Sequence, residues 1–368
     1  MKSLLNIYHK IANQISIWSI ITPIAACLIL AGTQLHSSGL YNILVAIALI
    51  GAVLSAVHHA EVVAHKLGEP YGTLLLAVAI TVIEVALIVS LMLTGGQETA
   101  ALARDTVFAA VMIIISGIVG LCLLIGGLLH KEQVFRLHGA NAALTTLAAI
   151  VVLTLILPNY TTSSSGPIYS TSQLAFIALV SLVLYGTFVF VQVIRHRNYF
   201  LDAVDNSGDL LAVPAISTKI ALLSTILLLI CLGAVVLLAK SLAPSIEAAV
   251  ISIGAPHQLV GVIIASIVLL PEGLAAVRAA RNNQFQTSLN LALGSALASI
   301  GLTIPAVAIL SLITGWTLIL GIDMKSAVLL LLALFVSSLS LATGRTNVLQ
   351  GVILLVIFAV YLFTTIIP

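Results

Sequence analysis

Glu69 to Gly95 reads EPYGTLLLAVAITVIEVALIVSLMLTG, an apolar run of helix length with one carboxylate, Glu84, near its middle. About 20 such residues cross the hydrocarbon layer as a helix. A second run, His257 to Arg281 (HQLVGVIIASIVLLPEGLAAVRAAR), places Glu272 in the corresponding position. Aligning Glu84 with Glu272 sets Ala77 against Ala265 and Glu69 against His257. Each half of the chain therefore carries one carboxylate at membrane depth.

The surrounding composition makes this an integral membrane protein. Of 368 residues, 61% are hydrophobic and 7% charged, with a mean hydropathy of +1.24; soluble domains carry roughly a quarter charged residues. The net charge of +2, with no Lys/Arg-rich face, argues against a nucleic-acid partner. Cys27, Cys122 and Cys231 stand singly in apolar runs, with neither a disulfide framework nor zinc spacing. The first apolar run follows Lys2 and Lys10 without a small-residue cleavage site and reads as a retained helix.

Hydropathy and loop punctuation predict an all-α polytopic membrane protein of about eleven transmembrane helices, from 15–35 to 347–367. The chain divides into an N-terminus with a lone first helix (1–36), a first five-helix repeat (37–194), a cytoplasmic linker (195–215) and a second five-helix repeat (216–368). An odd number of spans per repeat makes the second copy inverted, an architecture of transporters with sites near the midplane. Of fourteen Lys and Arg residues, only Arg104, Lys240 and Lys325 fall on one side when the N-terminus is inside. This split places the N-terminus in the cytoplasm and the C-terminus outside a cell inner (plasma) membrane. The linker carries Asp202, Asp205 and Asp209 and reads as a solvated segment.

Ten of the twelve acids lie at span ends or in loops; Glu84 and Glu272 do not. A carboxylate at the helix centre costs about 2.5–3.5 kcal/mol on the mild insertion scale, and no Lys or Arg lies at their depth to offset it. Their natural partner is a cation from solution, a proton, or each in turn. Two carboxylates suit a hard divalent cation with oxygen ligands. Candidate hydroxyls are Thr81, Ser116, Ser266, Ser295, Ser299 and Thr303. Ser116 and Ser299 stand out because they occupy matching places in the spans following the two glutamates. The transported ions are thus calcium (or sodium or potassium) and protons, and no cofactor is implied. His59, Glu61, His65 and Glu69 in the first hairpin, with His257, are candidates for proton relay or gating. Asp105 opens a span directly after Arg104, a helix-start acid with a local partner. No Asp lies inside a span, which excludes an intramembrane aspartyl protease; the chain does not read as an enzyme. The partners are the lipid bilayer, cations and protons, and a homo-oligomer stays open.

The segments HAEVVAHKLGEPYG (59–72), TVIE (81–84), RDT (104–106), LLPEG (269–273), RAARN (278–282), QTSLNLALGSALAS (286–299) and TGRTN (343–347) together resemble the cation/proton exchanger branch of the calcium:cation antiporter superfamily. The likeness is greatest to the bacterial ChaA-type calcium/proton (sodium/proton) antiporters. The resemblance implies a lone helix followed by two inverted five-helix halves, with Glu84 and Glu272 as the repeat glutamates. It also implies that Ser116 and Ser299 stand where many members carry Asn. Many members have Gly-Asn shortly before each glutamate; here the residues are Ile80-Thr81 and Val268-Leu269. With fewer amide oxygens, sodium or potassium is the alternative cargo to calcium.

Overall fold

The computed structural model describes residues 16–32, 39–68, 71–201, 216–252, 254, 256 and 258–367. Its helices are α1 (Ile17–Gly32), α2 (Gly39–Leu67), α3 (Tyr71–Gly95), α4 (Leu102–His130), α5 (Leu137–Tyr160), α6 (Thr171–Arg195), α7 (Thr218–Ser252), α8 (Gln258–Arg281), α9 (Phe285–Thr314), α10 (Met324–Leu341) and α11 (Val348–Ile366). Among the described residues, nine are long and apolar enough to span a bilayer, and α8 joins them as a helix bent by 51°. The shorter α1 brings the total to eleven, as the hydropathy predicts. Large apolar side chains such as Leu40, Ile313, Phe335 and Phe363 are exposed, as lipid-facing surfaces require.

The chain folds into two compact units, and neither is one half of the sequence. One comprises Met1–Leu87 with Gly208–Ala249; the other comprises Ile88–Ser207 with Val250–Pro368. Glu84 belongs to the first and Glu272 to the second.

In the first unit, α1 contains Pro23. Proline has no N–H, so the carbonyl four residues earlier loses its helical donor. That carbonyl belongs to Ser19, and two side chains one turn apart on α2 replace the donor. Ser55 Oγ donates to Ser19 O at 2.7 Å, and His59 Nε2 bonds it at 2.9 Å. Cys231 of α7 reaches Ser55 Oγ at 3.5 Å, bringing a third helix to the same buried spot. Nearer the turn after α2, Lys66 Nζ donates to Ile216 O at 2.9 Å.

The second unit has an extended core built from α4, α5, α6 and α8–α11. The crossing of α4 and α11 needs glycine on both sides. A Cβ at Gly351 would lie 2.5 Å from Leu124 N and 2.8 Å from Gly120 O, and one at Gly120 would lie 3.0 Å from Leu354 Cβ. Small residues let membrane helices pack through dispersion where no hydrophobic drive separates protein from lipid. At one end of the unit, Gln133 in the α4–α5 loop donates Nε2 to Ala280 O at 2.8 Å and Asn283 Oδ1 at 3.0 Å. Its own N–H donates to Thr346 Oγ1 at 2.7 Å. Gln286 Oε1 accepts from Arg136 N at 2.7 Å. These side chains satisfy loop backbone where the chain reverses between spans.

Candidate functional site

Glu272 sits on α8 directly after Pro271. Pro271 cannot donate to Ile267 O, and the 51° bend falls at this place, as proline in a helix interior dictates. The Glu272 side chain is 4% exposed. Ser295 Oγ, from α9, donates to Glu272 Oε2 at 2.6 Å, the length of a charge-assisted O–H···O bond. Ser295 is among the hydroxyls that the sequence singles out, and it lies one turn before Ser299 on the same helix.

Ser299 and Thr303 follow Ser295 at successive intervals of four, so the three hydroxyls share one face of α9. All three are buried, and Thr303 Oγ1 has no hydrogen-bond partner among the described residues. Ser266 on α8 is turned to its own helix, donating to Val262 O at 2.7 Å.

Ser116 lies within a π-helical turn, Ile113–Ile118, of α4. Such a turn inserts a residue into the helical register and recurs at functional sites. Ser116 and Ser299 stand equally far from the starts of α4 and α9, but the slip means that equal counting is not equal rotation. Ser116 Oγ donates to Met112 O. The turn also offers Ile115 O to Ser337 Oγ of α10, at 3.4 Å. Backbone carbonyls freed in this way are tolerated at membrane depth only where protein buries them or a cavity solvates them; here the whole turn is buried. The π-turn was not legible in the sequence, since the run VMIIISGI has no local breaker beyond Gly117.

In the first unit, Glu84 is 2% exposed and Thr81, three residues before it, is also buried. Thr81 Oγ1 donates to Ala77 O at 2.9 Å, within its own helix. Of the relay or gating candidates, His59 holds Ser19 O as described, and its Nδ1 has no partner among the described residues. Its ring lies 5.7 Å from that of His58, which in turn lies 5.5 Å from Trp18. Glu61 is half-buried and His65 exposed on the last turns of α2. Glu69, His257 and the linker aspartates Asp202, Asp205 and Asp209 lie outside the described residues.

The family profile described as sodium/calcium exchanger protein matches residues 37–194 and 223–367. The chain belongs to the sodium/calcium exchanger family. The two matched blocks leave out α1, in agreement with a lone first helix. The exchanger is 47% identical over 360 residues to a putative ionic transporter, y4hA, of Sinorhizobium fredii, covering 96% of this chain and 97% of that one. It is 37% identical over 327 residues to the sodium-potassium/proton antiporter ChaA of Escherichia coli, covering 88% of each. The fold is shared with native YfkE, at a TM-score of 0.70 and 19% identity over 96% of this chain and 100% of that one. It is likewise shared with the H+/Ca2+ exchanger CAX, at a TM-score of 0.70 and 16% identity over 94% and 87%. The exchanger is thus a multi-pass membrane protein of a bacterial cation-exchanger lineage.

Proposed function

We propose that the protein is a secondary active antiporter that expels calcium from the cytoplasm in exchange for external protons by alternating access. Glu84 and Glu272 are the ion-binding carboxylates, one from each repeat, with Thr81, Ser116, Ser299 and Ser295 as hydroxyl ligands. The observation that carries the reading is the buried Glu272 in a bent membrane helix, bonded by Ser295, in a chain of the exchanger family. A cation and a proton compete for the same carboxylate oxygens, so the two fluxes are coupled without a separate transmission pathway.

Sodium or potassium in place of calcium is the second reading. It is favoured by the 37% identical relative, named a sodium-potassium/proton antiporter, and by Thr81 and Leu269 standing where many family members carry an amide. Everted vesicles with a pH-sensitive dye, given calcium, sodium and potassium in turn at several pH values, decide between them. Glu84→Gln and Glu272→Gln each abolish cation-driven proton movement while leaving insertion intact; full exchange by either variant overturns the assignment.

The orientation, N-terminus inside and C-terminus outside the plasma membrane, rests on the Lys/Arg asymmetry. In a cysteine-free background, Ser165→Cys is labelled by an impermeant thiol reagent in intact cells and Asn198→Cys only after lysis. The opposite pattern inverts the topology.

A further inference from the structure

The second unit contains a cavity of about 50 Å³ remote from Glu272. It lies where the N-terminal ends of α4, α8 and α10 meet the C-terminal end of α11, and Asp105, Arg104, Gln258, Asp323, Lys325 and Tyr361 line it. Fourteen residues separate Gln258 from Glu272 along α8, about 21 Å at 1.5 Å per residue. In the orientation proposed above, this end of the unit faces outside.

Asp105 is a carboxylate in this cavity that keeps an oxygen without a donor among the described residues. Arg104 Nε donates to its Oδ1 at 2.8 Å, and the two side chains are 16% and 17% exposed. Oδ2 has no donor among the described residues. Arg104 is not committed to Asp105 alone, because a second guanidinium nitrogen donates to Gly321 O at 3.2 Å. Loss of the charge on Asp105 therefore leaves the arginine with a partner. Asp105 also touches the helix that carries Glu272. At Gly261 of α8, an added Cβ would lie 3.1 Å from the Asp105 carbonyl carbon and 3.3 Å from Asp105 Cβ.

The charges around the cavity identify what it takes. Asp105 and Asp323 are balanced by Arg104 and Lys325, and Tyr361 and Gln258 are neutral. Asp323 Oδ2 is occupied by the N–H of Ser326 at 3.2 Å, capping α10, and Lys325 Nζ donates to Thr364 O at 2.8 Å. Among the described residues no three His, Cys, Asp or Glu side chains gather as a metal site. A desolvated metal cation needs several oxygen ligands with net negative charge, and the two carboxylates of this cavity are offset by Arg104 and Lys325. A proton needs one carboxylate oxygen and water beside it.

We propose that Asp105 is the outer proton-receiving carboxylate of the exchanger, loaded from the cavity at its Oδ2. External hydronium transfers its proton to that oxygen and leaves as water, and the Arg104 guanidinium stays held by Gly321 O. This inference rests on the antiport reading and goes beyond it by naming where external protons are first received, before they compete with the cation for the carboxylate oxygens of Glu84 and Glu272.

The test uses the full chain in proteoliposomes of one orientation, with radiolabelled calcium in one arm and sodium in another. Proton-driven cation efflux is measured while the pH on the outer face is varied, alongside cation–cation exchange, which requires no proton. Asp105→Asn weakens activation by external protons at least fivefold and leaves cation–cation exchange within twofold of the unaltered protein. Equal loss of both fluxes, or an unchanged dependence on external pH, overturns the inference. If Asp105→Asn fails to insert, Asp105→Glu, which keeps the carboxyl but displaces it by one methylene, decides on the same two readouts. Absence of proton-coupled flux in the unaltered protein sinks the antiport reading itself, a different outcome from failure of Asp105.

Discussion

Ser295→Ala removes one oxygen from the immediate surroundings of Glu272 and nothing else of comparable size. The lost bond is 2.6 Å long, between a hydroxyl and a carboxylate, and both residues are buried. Hydrogen bonds to charged groups contribute about 1.5–3 kcal/mol. The ionised carboxylate is the form that holds a cation, so this energy is withdrawn from the cation-binding state and not from the protonated one. At ~1.4 kcal/mol per factor of ten, the half-saturating cation concentration at fixed pH rises between about tenfold and about a hundredfold. A water molecule filling the vacated space recovers part of the bond, which makes about tenfold the expected value. The assay is dye quenching in everted vesicles, titrated with calcium and separately with sodium, at matched protein levels. Ser266→Ala is the control: it lies on the same helix as Glu272 but donates to Val262 O, and its half-saturation stays within twofold. An unchanged half-saturation for Ser295→Ala at normal insertion refutes the assignment of Ser295 to the ion site.

Other expectations concern the scaffold. Gly351→Ala sets a Cβ 2.5 Å from Leu124 N and 2.8 Å from Gly120 O. It forces α4 and α11 apart at a cost of about 1–3 kcal/mol, read as a lower melting temperature in detergent. Gly186→Ala meets nothing within 4 Å and leaves the melting temperature unchanged. Ser55→Ala with His59→Phe strips Ser19 O of both its donors, leaving a buried carbonyl unsatisfied at about 1–3 kcal/mol. Adding Pro23→Ala restores a backbone donor to that carbonyl and recovers much of the loss in the same thermal assay. If the triple variant melts no higher than the double, the proline does not govern this contact.

The number and type of the helices were legible because lipid leaves so few options. Backbone polar groups at membrane depth must be satisfied within their own segment, so an apolar run such as 71–95 has one outcome. Glu84 and Glu272 were legible for the same reason, since a carboxylate in such a run has no bland explanation. The bond from Ser295 to Glu272 was not legible. Ser295, Ser299 and Thr303 share one face of α9, and the reach of that face to Glu272 depends on the height of α8 beside it. That height follows from a bend at Pro271 whose size no local rule sets. The comparison of Ser116 with Ser299 assumed regular helices, and the π-turn at Ile113–Ile118 breaks that assumption.

The contact of Ser19 with His59 shows the same division. Pro23 announces in the sequence that a carbonyl has lost its donor, but nothing local says that a helix forty residues away supplies the replacement. The partition of the chain is the largest such case. The sequence divides by resemblance into successive halves, whereas the compact units each draw segments from both. Sequence alone determined the apolar helices, about eleven in number, and the two acids held out of water, because solvation is a property of single segments. Tertiary structure decided that Ser295 reaches Glu272, where Asp105 meets a cavity, and which segments pack as one body, because those depend on the distances between helices that hydropathy does not measure.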